Sequence, residues 1–170
     1  MSQAENYILG KTSERIEFDS RLDNQAWALA LAAQATRSIR IYSQDLENLV
    51  YDTQDFIQAL TSLATRNRRS HIQILVNDPN NAIKMGHRLI ELSRSFTSSM
   101  QIHKPSREYQ DDISAYLLAD DGGYLYKPIA SQYIGQVDFN DRLRVRDLNR
   151  QFEEMWQHST PDPELRRLYI

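Results

Sequence analysis

The chain has 170 residues, 41% of them hydrophobic and 25% charged, which is enough for one domain with a real core. The formal net charge is −3, so bulk charge makes no case for nucleic acid or an anionic membrane surface. The absence of cysteine excludes disulfides, thiolate zinc sites and cysteine nucleophiles, and it fits a reducing cytoplasm, where the protein is expected. The first residues lack the basic and apolar regions of a signal peptide, and no apolar run approaches the ~18 residues of a membrane span.

Residues 1–6 are polar and expected to fray. Residues 7–10 form a possible short strand, and 15–18 alternate like an edge strand. Asp19 or Ser20 then caps a helix whose Leu22, Ala26, Leu29, Ala30 and Ala33 share one face. Residues 38–42 form a strand, and a loop runs from Ser43 through Tyr51. Asp52 or Thr53 caps the next helix, with Phe56, Ile57, Leu60, Leu63 and Ala64 as its inner face. That helix ends at Arg66, Arg68 and Arg69, which read either as phosphate contacts or, in preference, as cations suited to a helix C-terminus. Residues 71–76 form the clearest strand. Asn77, Asp78 and Pro79 break it and start a third helix with Met85, Leu89, Leu92 and Phe96 inside. A strand over 100–103 is stopped by Lys104 and Pro105. Residues 112–119 and 124–128 form two more strands around a turn at Asp121, Gly122 and Gly123, where glycine accepts positive φ without steric cost. Another strand is expected over 133–137. Val145, Leu148, Phe152, Met155 and Trp156 then lie on one face of a last long helix.

Strands alternating with helices imply a mixed, largely parallel sheet flanked by helices on both faces, an α/β fold. Residues 1–19 make an N-terminal segment with edge strands, 20–159 the α/β domain, and 160–170 a C-terminal tail. Ligands of such sheets lie where parallel strands end. That rim is expected to hold Asp45, Asn77, Asp78, His103, Lys104, Arg107, Asp120 and Lys127.

The order of elements, the strand ending in Asp120 and the final helix with Leu148, Phe152 and Trp156 together resemble one lobe of the phospholipase D superfamily. That family carries His-x-Lys-x4-Asp on a strand, with a Gly-Ser pair and an asparagine downstream; its histidine attacks a phosphodiester and its lysine holds the phosphate oxygens. With Asp120 on the family's aspartate, Ile113 falls on the histidine and Ala115 on the lysine. Lys127 and Pro128 fall on the Gly-Ser pair, and residues 126–133 contain no asparagine. The resemblance therefore implies a degenerate single lobe, similar to uncharacterised bacterial phospholipase D-like domains, with no catalytic residue of the family's kind. It also implies a homodimer, because two-lobed relatives pair their halves.

His103 beside Lys104 and Arg107 reads either as a nucleophile with its cations or as a strand end and a solvated loop. Arg142, Arg146 and Arg150 make a basic helix stripe, with Asp138 and Glu154 four residues from its ends to pair with it. Trp27 lies off the alanine face, as a partner contact or as packing. The four histidines have no metal-ligand spacing, so neither a metal nor a cofactor is expected. Three functions of different classes follow. The first is a non-catalytic module for a protein partner or a small anionic ligand. The second is an enzyme processing a phosphate ester with a rearranged site. The third, not favoured, is a membrane or nucleic-acid binder using the arginine stripe.

Overall fold

The computed structural model describes residues 3–166. Eight strands form one sheet in the order β1 (Ile16–Phe18), β7 (Gly135–Asp138), β6 (Gly123–Lys127), β5 (Ala115–Ala119), β2 (Ser38–Ser43), β3 (His71–Val76), β4 (Met100–Lys104) and β8 (Thr160–Pro161). The sheet is mixed, as expected, but its parallel part is smaller than expected. Only β2–β3 and β3–β4 are parallel, and the other five pairings are antiparallel. Short connections join β5 to β6 and β6 to β7, and a short connection can only reverse the chain. Strand β5 runs against β2, pairing Ile39 with Ala119 and Tyr42 with Tyr116. The end of β5 therefore lies beside the start of β2. We call the edge where β2, β3 and β4 end the upper edge, and the edge where they begin the lower edge.

Helices cover both faces. On one, α1 (Arg21–Gln34), α3 (Gln54–Arg66) and α5 (Arg88–Ser95) bury Leu31, Leu60 and Leu89 against Ile39, Ile41, Ile74 and Leu117. On the other, α6 (Arg142–Gln157) buries Val145, Leu148, Phe152 and Met155 against Tyr42, Leu75, Tyr116 and Leu118, on the face expected from its spacing. Ser20 and Thr53 cap α1 and α3 through their side chains.

Helix α1 is rotated from its expected setting. Leu22 is 65% exposed and Ala33 is exposed, while Trp27, Ala28, Leu31 and Ala32 are buried. Burying a tryptophan and a leucine removes more apolar area from water than burying alanines, and the larger gain sets the rotation. Trp27 packs edge-on to Tyr7 at 5.3 Å and to Phe139 at 5.8 Å, so it is packing. The N-terminal segment supplies that cover. Residues expected to fray include a 3₁₀ turn at Gln3–Asn6 with Ala4 buried; Met1 and Ser2 lie outside the described residues. Residues 7–10 are a turn rather than a strand, closed by Gly10 N–H donating to Phe139 O.

The expected third helix is two, α4 (Asn80–Met85) and α5. Gly86 ends the first in the left-handed region, and His87 caps the second. Met85 is consequently 67% exposed. The loop through 43–51 contains a one-turn helix, α2 (Asn48–Tyr51). Residues 160–166, expected as a tail, add β8 to the sheet and a turn of helix, α7 (Pro163–Arg166), with Leu165 buried. Ile113 precedes β5 and is 56% exposed instead of lining the strand. At the β5–β6 turn the positive φ belongs to Asp120, not to a glycine. Gly123 serves close approach instead, because a Cβ there would meet Leu9 at 2.5 Å and Leu31 at 2.8 Å.

Candidate functional site

The upper edge holds a closed polar arrangement. Ser43 Oγ accepts from Leu46 N–H at 3.0 Å and pulls the chain into a tight reversal after β2. Leu46 and Glu47 both adopt left-handed φ, at 70° and 32°. Such residues each cost about 1–3 kcal/mol and persist only where the surroundings hold them. His87 does the holding. Its Nδ1 accepts from Leu89 N–H at 3.1 Å, which leaves Nε2 to donate to Leu46 O at 3.0 Å. Burial lowers the His87 pKa from its ordinary value, so the ring stays neutral in this role.

The reversal turns Glu47 inward onto Lys127 at the end of β6, where the two side chains form an ion pair. The Lys127 side chain is 1% exposed and that of Glu47 11%. The ammonium also donates to Ala130 O at 3.2 Å and lies 5.5 Å from the Tyr133 ring centre. Burial pushes the Glu47 carboxyl upward, and Lys127 opposes that push. A cavity of about 480 Å³ opens here, with Leu49, Ile113, Ile129 and Tyr133 among its walls. Beside it, Tyr42 Oη donates to Asp112 O at 2.7 Å and accepts from Asn77 Nδ2 at 2.9 Å, and Gln44 donates to Asp112 O and Ser114 O.

The expected rim therefore divides. Asp45, Asn77, Asp78 and Lys127 lie at or near this arrangement. Asp45 and Asp78 spend a carboxylate oxygen each on their own loops, accepting from Glu47 N–H and Asn80 N–H. His103 stacks on Trp156 at 4.0 Å and its Nδ1 is 2.9 Å from Ser159 Oγ. Lys104 and Arg107 are exposed. Asp120 is not on this rim at all. Because β5 runs downward, Asp120 sits at the lower edge and accepts from the backbone N–H of Thr36, Arg37 and Ser38, at 2.8 Å from Arg37. It caps the turn into β2. Glu47 and His87 escaped the sequence reading, since no local pattern marks a glutamate that a left-handed turn will bury.

The lower edge is basic. Arg37, Arg40 and His71 from the sheet and Arg142 and Arg146 from α6 line a cleft of about 450 Å³ with Asp120 and Asp121. The acids expected to pair with the arginine stripe do not. Asp138 is buried and accepts from Glu14 N–H and Asn140 N–H, and Glu154 accepts from Tyr109. Arg150 instead reaches Asp147 at 3.9 Å.

A mixed sheet with three helices on one face and one long helix on the other is the phospholipase D-like α/β fold, and three solved structures share it. NucT from Helicobacter pylori superposes with a TM-score of 0.64 at 11% identity, over 88% of this chain and 99% of that one. Nuc from Salmonella typhimurium, a phospholipase D family member, gives 0.61 at 12% identity, over 88% and 99%. TrmBL2, an archaeal chromatin protein whose structure shows a novel mode of DNA binding, gives 0.64 at 10% identity, over 87% of this chain and 54% of TrmBL2, so the chain spans about half of its length. Residues 20–168 match the family described as Domain of unknown function (DUF7931), and the chain belongs to that family. No curated protein matches the sequence. None of the described helices is long and apolar enough to cross a membrane.

Proposed function

We propose that the chain is a non-catalytic, phospholipase D-like binding module. One observation carries this reading: the buried charges at the upper-edge cleft, Lys127 and Glu47, are spent on each other. In the family register Lys127 stands on the glycine of the Gly-Ser pair, and a long side chain there enters the space that glycine leaves open. Ile113 and Ala115 stand on the histidine and the lysine, and neither has a lone pair or a charge for phosphoryl transfer. His103, the nucleophile of the rearranged-site reading, is engaged by Trp156 and Ser159. Exposed Leu49, Ile113 and Ile129 surround the cavity and favour a protein partner over a small anion, with a second copy of the chain as the first partner to test.

The pure protein is expected to show no turnover of bis(p-nitrophenyl) phosphate, phospholipid or DNA. Turnover that vanished in His103→Ala would overturn the reading. Light scattering over a dilution series is expected to give about twice the chain mass of 19.9 kDa, with Ile113→Asp shifting the equilibrium to monomer.

A further inference from the structure

We infer that the lower edge of the sheet is a nucleic-acid site that grips the phosphodiester backbone. This site lies across the sheet from the cleft discussed above, and it stands whether or not that cleft is catalytic.

The first observation is convergence. Two basic groups lie far apart in the sequence: Arg66, Arg68 and Arg69 after α3, and Arg142 and Arg146 on α6. The fold brings both to one edge. The loop after α3 is tied to the start of β2, with Arg66 donating to Ala35 O and Asn67 donating to Thr36 O. Helix α6 begins at the same edge, where Asp141 N–H donates to Gly122 O at 2.9 Å in the β5–β6 turn. Arg37, next to the Thr36 that Asn67 contacts, lines one cleft with Arg142 and Arg146.

The second observation is imbalance. Asp120 is consumed by backbone N–H groups, so Asp121 is left to serve both Arg37 at 3.2 Å and Arg142 at 4.0 Å. Among the described residues, Arg68, Arg69 and Arg146 have no acidic partner within salt-bridge distance. The upper edge carries Asp45, Glu47, Asp78, Asp111 and Asp112 against Lys104, Arg107 and Lys127. The net charge of −3 therefore conceals a molecule with one acidic and one basic edge. Local potential, not the total, attracts a polyanion.

The third observation is the run of cations at the start of α6. A helix N-terminus carries positive partial charge and favours acids. Asp141 meets that preference as the N-cap, accepting from Arg144 N–H at 3.1 Å, but the first five residues of the helix carry Arg142, Arg144 and Arg146. Arg144 lies over the Tyr126 ring at 4.8 Å, and the other two are exposed at the cleft. Asp141 is spent on the helix end, so it does not compensate the exposed Arg142 and Arg146 guanidiniums. A bound phosphate would accept from both of them.

Among the described residues no phenylalanine, tyrosine or tryptophan lines the cleft, and His71 supplies its one ring. Binding is through phosphates and is indifferent to sequence. The probe is a fluorescein-labelled 20-bp DNA duplex followed by anisotropy. With about five phosphate contacts, affinity should fall by a few hundred-fold between 50 and 200 mM salt. The variant Arg37→Ala/Arg142→Glu/Arg146→Ala should lose at least tenfold in affinity at 50 mM salt and show a shallower salt dependence. Arg142→Glu alone separates binding from folding. It should weaken binding while leaving the melting temperature nearly unchanged, because Arg142 is exposed and its contact with Asp121 at 4.0 Å contributes little to folding. Lys104→Ala/Arg107→Ala, at the upper edge, should bind as the wild type does. The inference is overturned by no binding at 50 mM salt, or by binding that the triple variant retains. Flotation with phosphatidylglycerol vesicles in the absence of duplex binding would overturn it as well.

Discussion

The two edges of the sheet handle charge in opposite ways. At the upper edge an ammonium and one carboxylate oxygen are taken out of water and spent on each other, and the tyrosine, glutamine and asparagine around them form hydrogen bonds among themselves and with nearby backbone, while Glu47 Oε2 and Asn77 Oδ1 are buried without a partner. At the lower edge Arg40 pairs with Glu153, but Arg37 and Arg142 stay in water with one shared acid, and the Asp120 carboxylate that could have neutralised them is spent on backbone N–H groups. Internal pairing makes a site rigid and inert toward outside ions. Exposed, under-compensated charge contributes almost nothing to folding and remains available to a partner. The edge where the parallel strands end is thus the internally paired one, and the edge where they begin keeps exposed charge unspent.

The contrast is broken most strongly at Lys127. Lys127→Met leaves Glu47 buried without its cation, and chemical denaturation should show a loss of about 3–5 kcal/mol. Adding Glu47→Gln should restore most of it. A single-variant loss below about 1 kcal/mol would mean that water reaches the pair and that the edge is open after all. A smaller effect is expected at the lower edge, from Asp120→Ala. It strips three backbone N–H groups of their acceptor and puts a less suitable residue at φ 52°, for about 2–3 kcal/mol. Asp120→Asn tolerates that φ and should lose less.

The smallest effect concerns His87. Its folded pKa lies below its ordinary value, so the folded state binds fewer protons than the unfolded chain in the window just below the unfolded pKa of about 6.5. Stability from this group is present above that value and is lost as pH falls from there toward the folded pKa. Thermal melts between pH 7.5 and 5 should show a decline that is absent in His87→Gln. That variant should also sit about 1–2 kcal/mol below the wild type at pH 7.5, having lost a buried hydrogen bond.

Much of the fold was legible in the sequence because it is written in local patterns. The spacing of Val145, Leu148, Phe152 and Met155 marks the inner face of α6, and Ser20 and Thr53 mark two helix starts. What was hidden depends on pairing between distant strands. The direction of β5 decides that Asp120 belongs to the lower edge, and no property of Asp120 or its neighbours carries that information. The rotation of α1 was hidden for the same reason, since the cover over Trp27 comes from Tyr7 and Phe139. Each basic group also had an adequate local explanation, as a helix terminus or a solvated face. Only the topology shows that the two groups are neighbours.

The sheet finishes on either side in very little backbone: β1 has three residues, and β8 has two, of which Pro161 lacks an N–H to donate. A strand from another molecule finds no long ladder to extend at either margin. Association of copies must then proceed through side-chain surfaces, which dissociate on dilution, rather than by growth of a continuous sheet into fibrils.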